Sequence, residues 1–136
     1  MRPTPYLFVY GSLRSSATGA LGRRERQRLQ REATSLGAAT LRGRLYDLGR
    51  YPGAVPGSDP TELVHGEVYR LHDAAASLPW LDAYEGYDPQ QPTAGEYQRQ
   101  ELRVTLAAGS EQRAWTYVYQ RDCAQLPQLP DGCWRG

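Results

Sequence analysis

Leu63 to Gly86 reads LVHGEVYRLHDAAASLPWLDAYEG, and its pattern changes character halfway along. Leu63 to Leu71 has the length and the apolar and β-branched content of a strand, with Gly66 marking close packing or a bulge. Asp73 to Gly86 reads as helical: Asp73 can cap a first short helix, Pro79 fits the first turn of a second, and Gly86 is a natural stop. Strands lie on both sides of this unit. Upstream, Tyr6-Leu7-Phe8-Val9-Tyr10 is a short buried strand halted by Gly11-Ser12, and Thr40 to Leu48 alternates with period two. Downstream, Gln100 to Leu106 and Gln112 to Tyr119 form a hairpin with Gly109 in its turn. Runs of strands with segregated helices predict an α+β domain rather than a wound parallel sheet.

The remaining segments are connections and edges. Leu21 to Glu32 is a charged helix whose thin apolar face is essentially Leu21 and Leu29, so it should lie on the surface. Residues 49–62, with three prolines and three glycines, predict a long loop, and residues 88–96 a second. The chain is expected to hold one domain over 1–122, with an irregular tail over 123–136 packed on it or trailing from it.

Composition excludes several classes. An apolar share of 40%, with ten tyrosines and three tryptophans, supplies a core and rejects a disordered chain. All 16 basic residues are arginines, yet 15 acids bring the net charge to +1, which gives no general attraction to nucleic acid or anionic membrane. Glu25 and Glu32 interrupt the arginine-rich segment 23–31, as in a solvated helix face. Residues 1–20 hold no sustained apolar region and no run is long enough to span a membrane, so a soluble, cytoplasmic protein is expected. Cys123 and Cys133 are read as two free thiols in a reducing compartment. Those cysteines with His65 and His72 lack metal-ligand spacing, and His65 is read as a satisfied structural histidine.

Three strings can carry chemistry. Tyr10-Gly11-Ser12-Leu13-Arg14 follows the opening strand, where backbone N–H groups without ladder partners can converge on a polarised carbonyl oxygen. Taken alone, it is more simply an ordinary turn. Ser12 lacks the G-x-S-x-G elbow of a serine hydrolase, and no phosphate-cradling loop is present. Leu81-Asp82-Ala83-Tyr84-Glu85-Gly86-Tyr87 puts Glu85 at a helix C-terminus among tyrosines. Burial and the helix dipole would both raise its pKa there, as a general base near neutrality requires. A solvated helix-end glutamate is the plainer reading of that stretch alone, and Asp82 reads as a local cap or surface acid. Arg99, in Tyr97-Gln98-Arg99, can clamp a substrate carboxylate or serve a surface ion pair.

The strings FVYGSLR (8–14), GRLYDLGRYPG (43–53), HGEVYRL (65–71), LDAYEGY (81–87), YQR (97–99) and WTYVY (115–119) follow one another in an order that resembles the gamma-glutamylcyclotransferase-like family. The resemblance implies a mixed β-barrel-like sheet of about five to seven strands with flanking short helices and a pocket at one end. It implies release of 5-oxoproline from a γ-glutamyl amine or dipeptide by attack of the substrate's own α-amine, with Glu85 as acid/base. It implies substrate binding by Tyr10, Gly11, Ser12 and Leu13. Beside it, the residues themselves offer Arg14 and Arg99 as binding candidates and Tyr51, Tyr87 and Tyr117 as candidate lining side chains. No metal or organic cofactor is expected, and no nucleic-acid or membrane partner. A non-catalytic small-molecule binding module on the same fold is the alternative.

Overall fold

The computed structural model describes residues 4–135. In chain order the elements are β1 (Tyr6–Val9), α1 (Arg23–Glu32), β2 (Ala33–Asp47), β3 (Pro52–Pro56), β4 (Leu63–Leu71), α2 (Ala74–Glu85), β5 (Tyr97–Leu106), β6 (Glu111–Tyr119) and β7 (Gln128–Leu129). The sheet runs β3-β2-β4-β1-β6-β5, and β2 also pairs with β5. Five strands thereby close into a barrel, which removes the free edges of the sheet core. Parallel pairing occurs between β1 and β6, at Leu7 opposite Trp115; the other pairs are antiparallel, so the barrel is mixed as expected.

Alternation along β1 sorts the core into two layers. Phe8 joins Leu41, Val64, Val68, Val104 and Ala114 from the other barrel strands in one cluster, the barrel interior. Leu7 and Val9 point the opposite way, joining Leu29 of α1 and Leu78 and Leu81 of α2. The helices therefore cover one outer face of the barrel, and α2 ends directly over β5 and β6.

Four sequence expectations change. Segment 49–62 is not wholly loop: β3 pairs with the second half of β2, from Gly43 opposite Pro56 to Asp47 opposite Pro52. Prolines at both ends suit a short strand of this kind. The approach is close enough that a Cβ at Gly43 would sit 2.3 Å from the Val55 carbonyl oxygen. β2 starts at Ala33 rather than Thr40, because residues 33–39 are mostly solvent-facing and hold their place through backbone pairing with β4, which leaves no apolar alternation to read. α2 is one helix, not two. Pro79 lies inside it on the exposed side, Asp73 accepts from the Ala76 N–H, and Gly86 closes the end in the left-handed conformation. Finally, Leu21 precedes α1 and is 39% exposed, while Arg26 joins Leu29 as a buried residue of that helix.

After Cys123, β7 pairs with β2 at Leu45–Leu129 and Tyr46–Gln128, and Trp134 is buried in the barrel-interior cluster. Cys123 and Cys133 are free thiols. Among the described residues no helix is long and apolar enough to cross a membrane.

Candidate active site

A cavity of about 350 Å³ opens where the C-terminal end of α2, the loop leaving β1 and the strands β5 and β6 meet. Its walls include Tyr10, Gly11, Ser12 and Leu13 from the loop, Tyr51 and Pro52 at the start of β3, Tyr84 and Glu85 from α2, and Tyr97 and Tyr117 from β5 and β6. This volume falls at the small end of ligand pockets.

The loop is held from behind. Arg14 N–H donates to the Gly11 carbonyl at 3.2 Å and closes a turn. Arg26 donates to the Ser12 carbonyl at 2.8 Å, and the Arg14 guanidinium donates to the Gly11 and Trp134 carbonyls. With its carbonyls tied back, the loop keeps the N–H groups of Gly11, Ser12 and Leu13 without protein acceptors among the described residues. Tyr10 fixes the strand end: its hydroxyl donates to the Tyr117 carbonyl at 2.5 Å and accepts from the Ala54 N–H at 3.2 Å.

Asp82 and Glu85 lie three residues apart on α2, hence on one face of the helix. Asp82 is only 6% exposed. Its Oδ1 accepts from Arg99 Nε at 2.8 Å and from the Tyr117 hydroxyl at 2.7 Å, and Arg99 adds a second bond to Oδ2. This buried knot fastens α2 to β5 and β6 and turns the same helix face, with Glu85, toward the cavity. Glu85 itself makes no hydrogen bond or ion pair among the described residues. Burial pushes its carboxyl up to about 7 from an ordinary 4.5. The nearby phenols of Tyr10, Tyr97 and Tyr117 are raised by burial and further by the Glu85 charge, so they remain protonated donors.

The structure thus brings Tyr10, Gly11, Ser12, Leu13, Tyr51, Tyr117 and Glu85 to one cavity. Two arginines expected there are elsewhere. Arg99 faces Asp82 instead of open space and lies over the rings of Trp115 and Tyr87, 4.4 and 5.8 Å from their centroids. Tyr87 is accordingly not a wall. Arg14 stands behind the loop. Asp82 is a buried anchor, not a surface acid or cap. His65, read as a satisfied structural histidine, is exposed on β4. Tyr84 and Tyr97 are walls the sequence did not single out. Ser12 Oγ is engaged with the Tyr84 hydroxyl at 2.7 Å, and no histidine lines the cavity. Among the described residues no group of three or more His, Cys, Asp or Glu side chains could hold a metal ion.

Residues 7–136 match the family model described as gamma-glutamyl cyclotransferase, AIG2-like. The gamma-glutamylcyclotransferase family protein YtfP of Escherichia coli is 37% identical over 129 residues, covering 94% of each chain. The gamma-L-glutamyl-butirosin B gamma-glutamyl cyclotransferase of Niallia circulans is 34% identical over 120 residues, 87% of this chain and 69% of that one. Among solved structures, E. coli YtfP superposes with a TM-score of 0.62 at 38% identity, covering 95% of both chains. An AIG2-like protein from Mus musculus superposes with a TM-score of 0.71 at 21% identity, covering 96% of this chain and 88% of the other, and so shares the fold. On this combined agreement of sequence and architecture, the chain belongs to the AIG2-like gamma-glutamyl cyclotransferase family and is an enzyme of that type.

Proposed function

We propose that the protein releases 5-oxoproline from a γ-glutamyl amine or dipeptide, with Glu85 as the acid/base residue and the Tyr10–Leu13 loop as the seat of the γ-glutamyl group. The observation that carries this reading is an unpartnered carboxyl, raised to about 7, lining the same cavity as three unpartnered backbone donors.

The chemistry follows from those two features. The substrate's α-amine attacks its own γ-carbonyl carbon, forming a ring C–N bond and a tetrahedral oxyanion. Glu85 takes the proton that the nitrogen loses. The bond to the departing nitrogen then breaks, and Glu85 returns the proton to it, so no net proton and no water is consumed. A carboxyl titrating near neutrality serves both directions of transfer. The Gly11–Leu13 donors suit the oxyanion, and losing one such donor typically costs about 3 kcal/mol of barrier. Ring closure is intramolecular, so holding the substrate folded supplies much of the rate.

A serine-nucleophile hydrolase is less well supported: Ser12 Oγ contacts a phenol rather than a base. The test is to incubate purified protein with a panel of γ-glutamyl amines and dipeptides and quantify 5-oxoproline. Formation of the cyclised product from at least one supports the reading. Binding without product from any of them favours a non-catalytic module.

A further inference from the structure

A second cavity, about 220 Å³, adjoins the first along Ser12 and Leu21, which line both. Its character is different. Arg14, Arg26, Arg50 and Arg135 line it, from the loop after β1, from α1, from the turn before β3 and from the C-terminal segment.

Four arginines converging from four parts of the chain call for an anion unless protein carboxylates already neutralise them. Only Arg135 has an ion-pair partner among the described residues, Asp131 at 2.6 Å. Arg14 and Arg26 donate to carbonyl oxygens of Gly11, Trp134, Ser12 and Gly19, which satisfy N–H groups but do not cancel charge. Each guanidinium has five N–H donors, so both retain unspent ones. Glu67, whose oxygens accept from Ser15 and Ser35, offsets part of the Arg14 charge, so Arg26 and Arg50 are the two whose charge no carboxylate pairs with among the described residues. Arg50 is exposed and makes no hydrogen bond or ion pair among the described residues.

We propose that this arginine-lined cavity is the subsite for an anionic group, a carboxylate, on the departing portion of the γ-glutamyl substrate. The inference rests on the reading under "Proposed function" for what fills the first cavity. A substrate whose γ-glutamyl group occupies that cavity extends across Ser12 and Leu21 into the second. There a carboxylate meets planar guanidinium donors that bind it in fork geometry. A departing group with no charge gains nothing at this place, and a cationic one is repelled. The preferred substrates are therefore γ-glutamyl amino acids or peptides over γ-glutamyl amines.

The matched probes are γ-glutamylalanine and γ-glutamylethylamine, which differ by the carboxylate alone. We expect kcat/KM for 5-oxoproline release to favour γ-glutamylalanine by about tenfold or more, the order of one charge-assisted hydrogen bond. In Arg50→Gln that ratio should fall at least about threefold, since one of the charges setting it is gone. Calorimetric binding of both probes to Glu85→Gln, with and without Arg50→Gln, reads the same preference without turnover. Equal kcat/KM and equal affinity for the two probes, or a ratio that Arg50→Gln leaves untouched, overturns the subsite. No product from either probe, with the affinity preference intact and sensitive to Arg50→Gln, sinks the cyclotransferase reading while the anion subsite stands.

Discussion

At the scale of single residues, Glu85 has a signature in stability as well as in rate. Its carboxyl titrates at about 7 in the fold and at an ordinary 4.5 when the chain is open. The folded protein therefore holds a proton that the unfolded chain has released. The contribution is fully present below the ordinary value and is lost as pH rises toward about 7. Glu85→Gln cannot ionise, so it should exceed the native protein in stability by about 3 kcal/mol at about pH 8 and differ little at about pH 4. Denaturant melts at the two pH values measure this; an equal difference at both would mean the acid is not desolvated. Tyr10 is the second informative residue. Tyr10→Phe deletes the bond to the Tyr117 carbonyl and leaves the Ala54 N–H without its acceptor. It should cost about 1–3 kcal/mol by thermal or chemical unfolding.

At the scale of elements, the fastening of α2 decides where Glu85 points. Breaking a buried ion pair by removing one partner is costly, so Arg99→Ala should lower stability by about 3–5 kcal/mol. It should also depress kcat by loosening Tyr117 and α2. A substrate-clamping arginine would behave otherwise, raising KM with stability nearly unchanged, and steady-state kinetics beside a denaturant melt separate the two. This element also shows what the sequence could reveal. β4 was legible to the residue, because packing on both faces leaves an apolar and β-branched run between turn signals. The glycines placed Glu85 and the Tyr10–Leu13 loop at element ends, but read alone they were a solvated glutamate and an ordinary turn; only the family resemblance singled them out as site candidates. The Asp82–Arg99 pair was not legible. The two residues are 17 positions apart on different elements, and nothing local distinguishes an arginine facing solvent from one facing a buried aspartate. β3 was hidden for a related reason: its prolines and glycines are loop-like locally, and only the partner strand makes them a strand.

At the scale of the whole molecule, barrel closure and the C-terminal segment act together. β2 is the hub, pairing with β3, β4, β5 and β7. Trp134 packs into the barrel interior, and the neighbouring Gly132 backs onto Leu63. Trp134→Ala should thus cost about 3–5 kcal/mol, comparable to a central core deletion and unlike a change in a trailing tail. Its backbone carbonyl also anchors Arg14 behind the Gly11 turn, so the barrel core and the donor loop share one support.

In the proposed mechanism one carboxyl moves the reaction's proton across a small cavity from fixed main-chain donors. The most direct test is the rate of 5-oxoproline release across pH for the native protein, Glu85→Gln and Ser12→Ala. Native kcat/KM should climb through an apparent pKa of about 7, Glu85→Gln should lose about 10²–10⁴-fold while staying folded, and Ser12→Ala should keep much of its activity. A Glu85→Gln protein that cyclises at close to the native rate, or a dead Ser12→Ala protein whose native counterpart traps substrate covalently on Ser12, would rule out Glu85 as the acid/base residue.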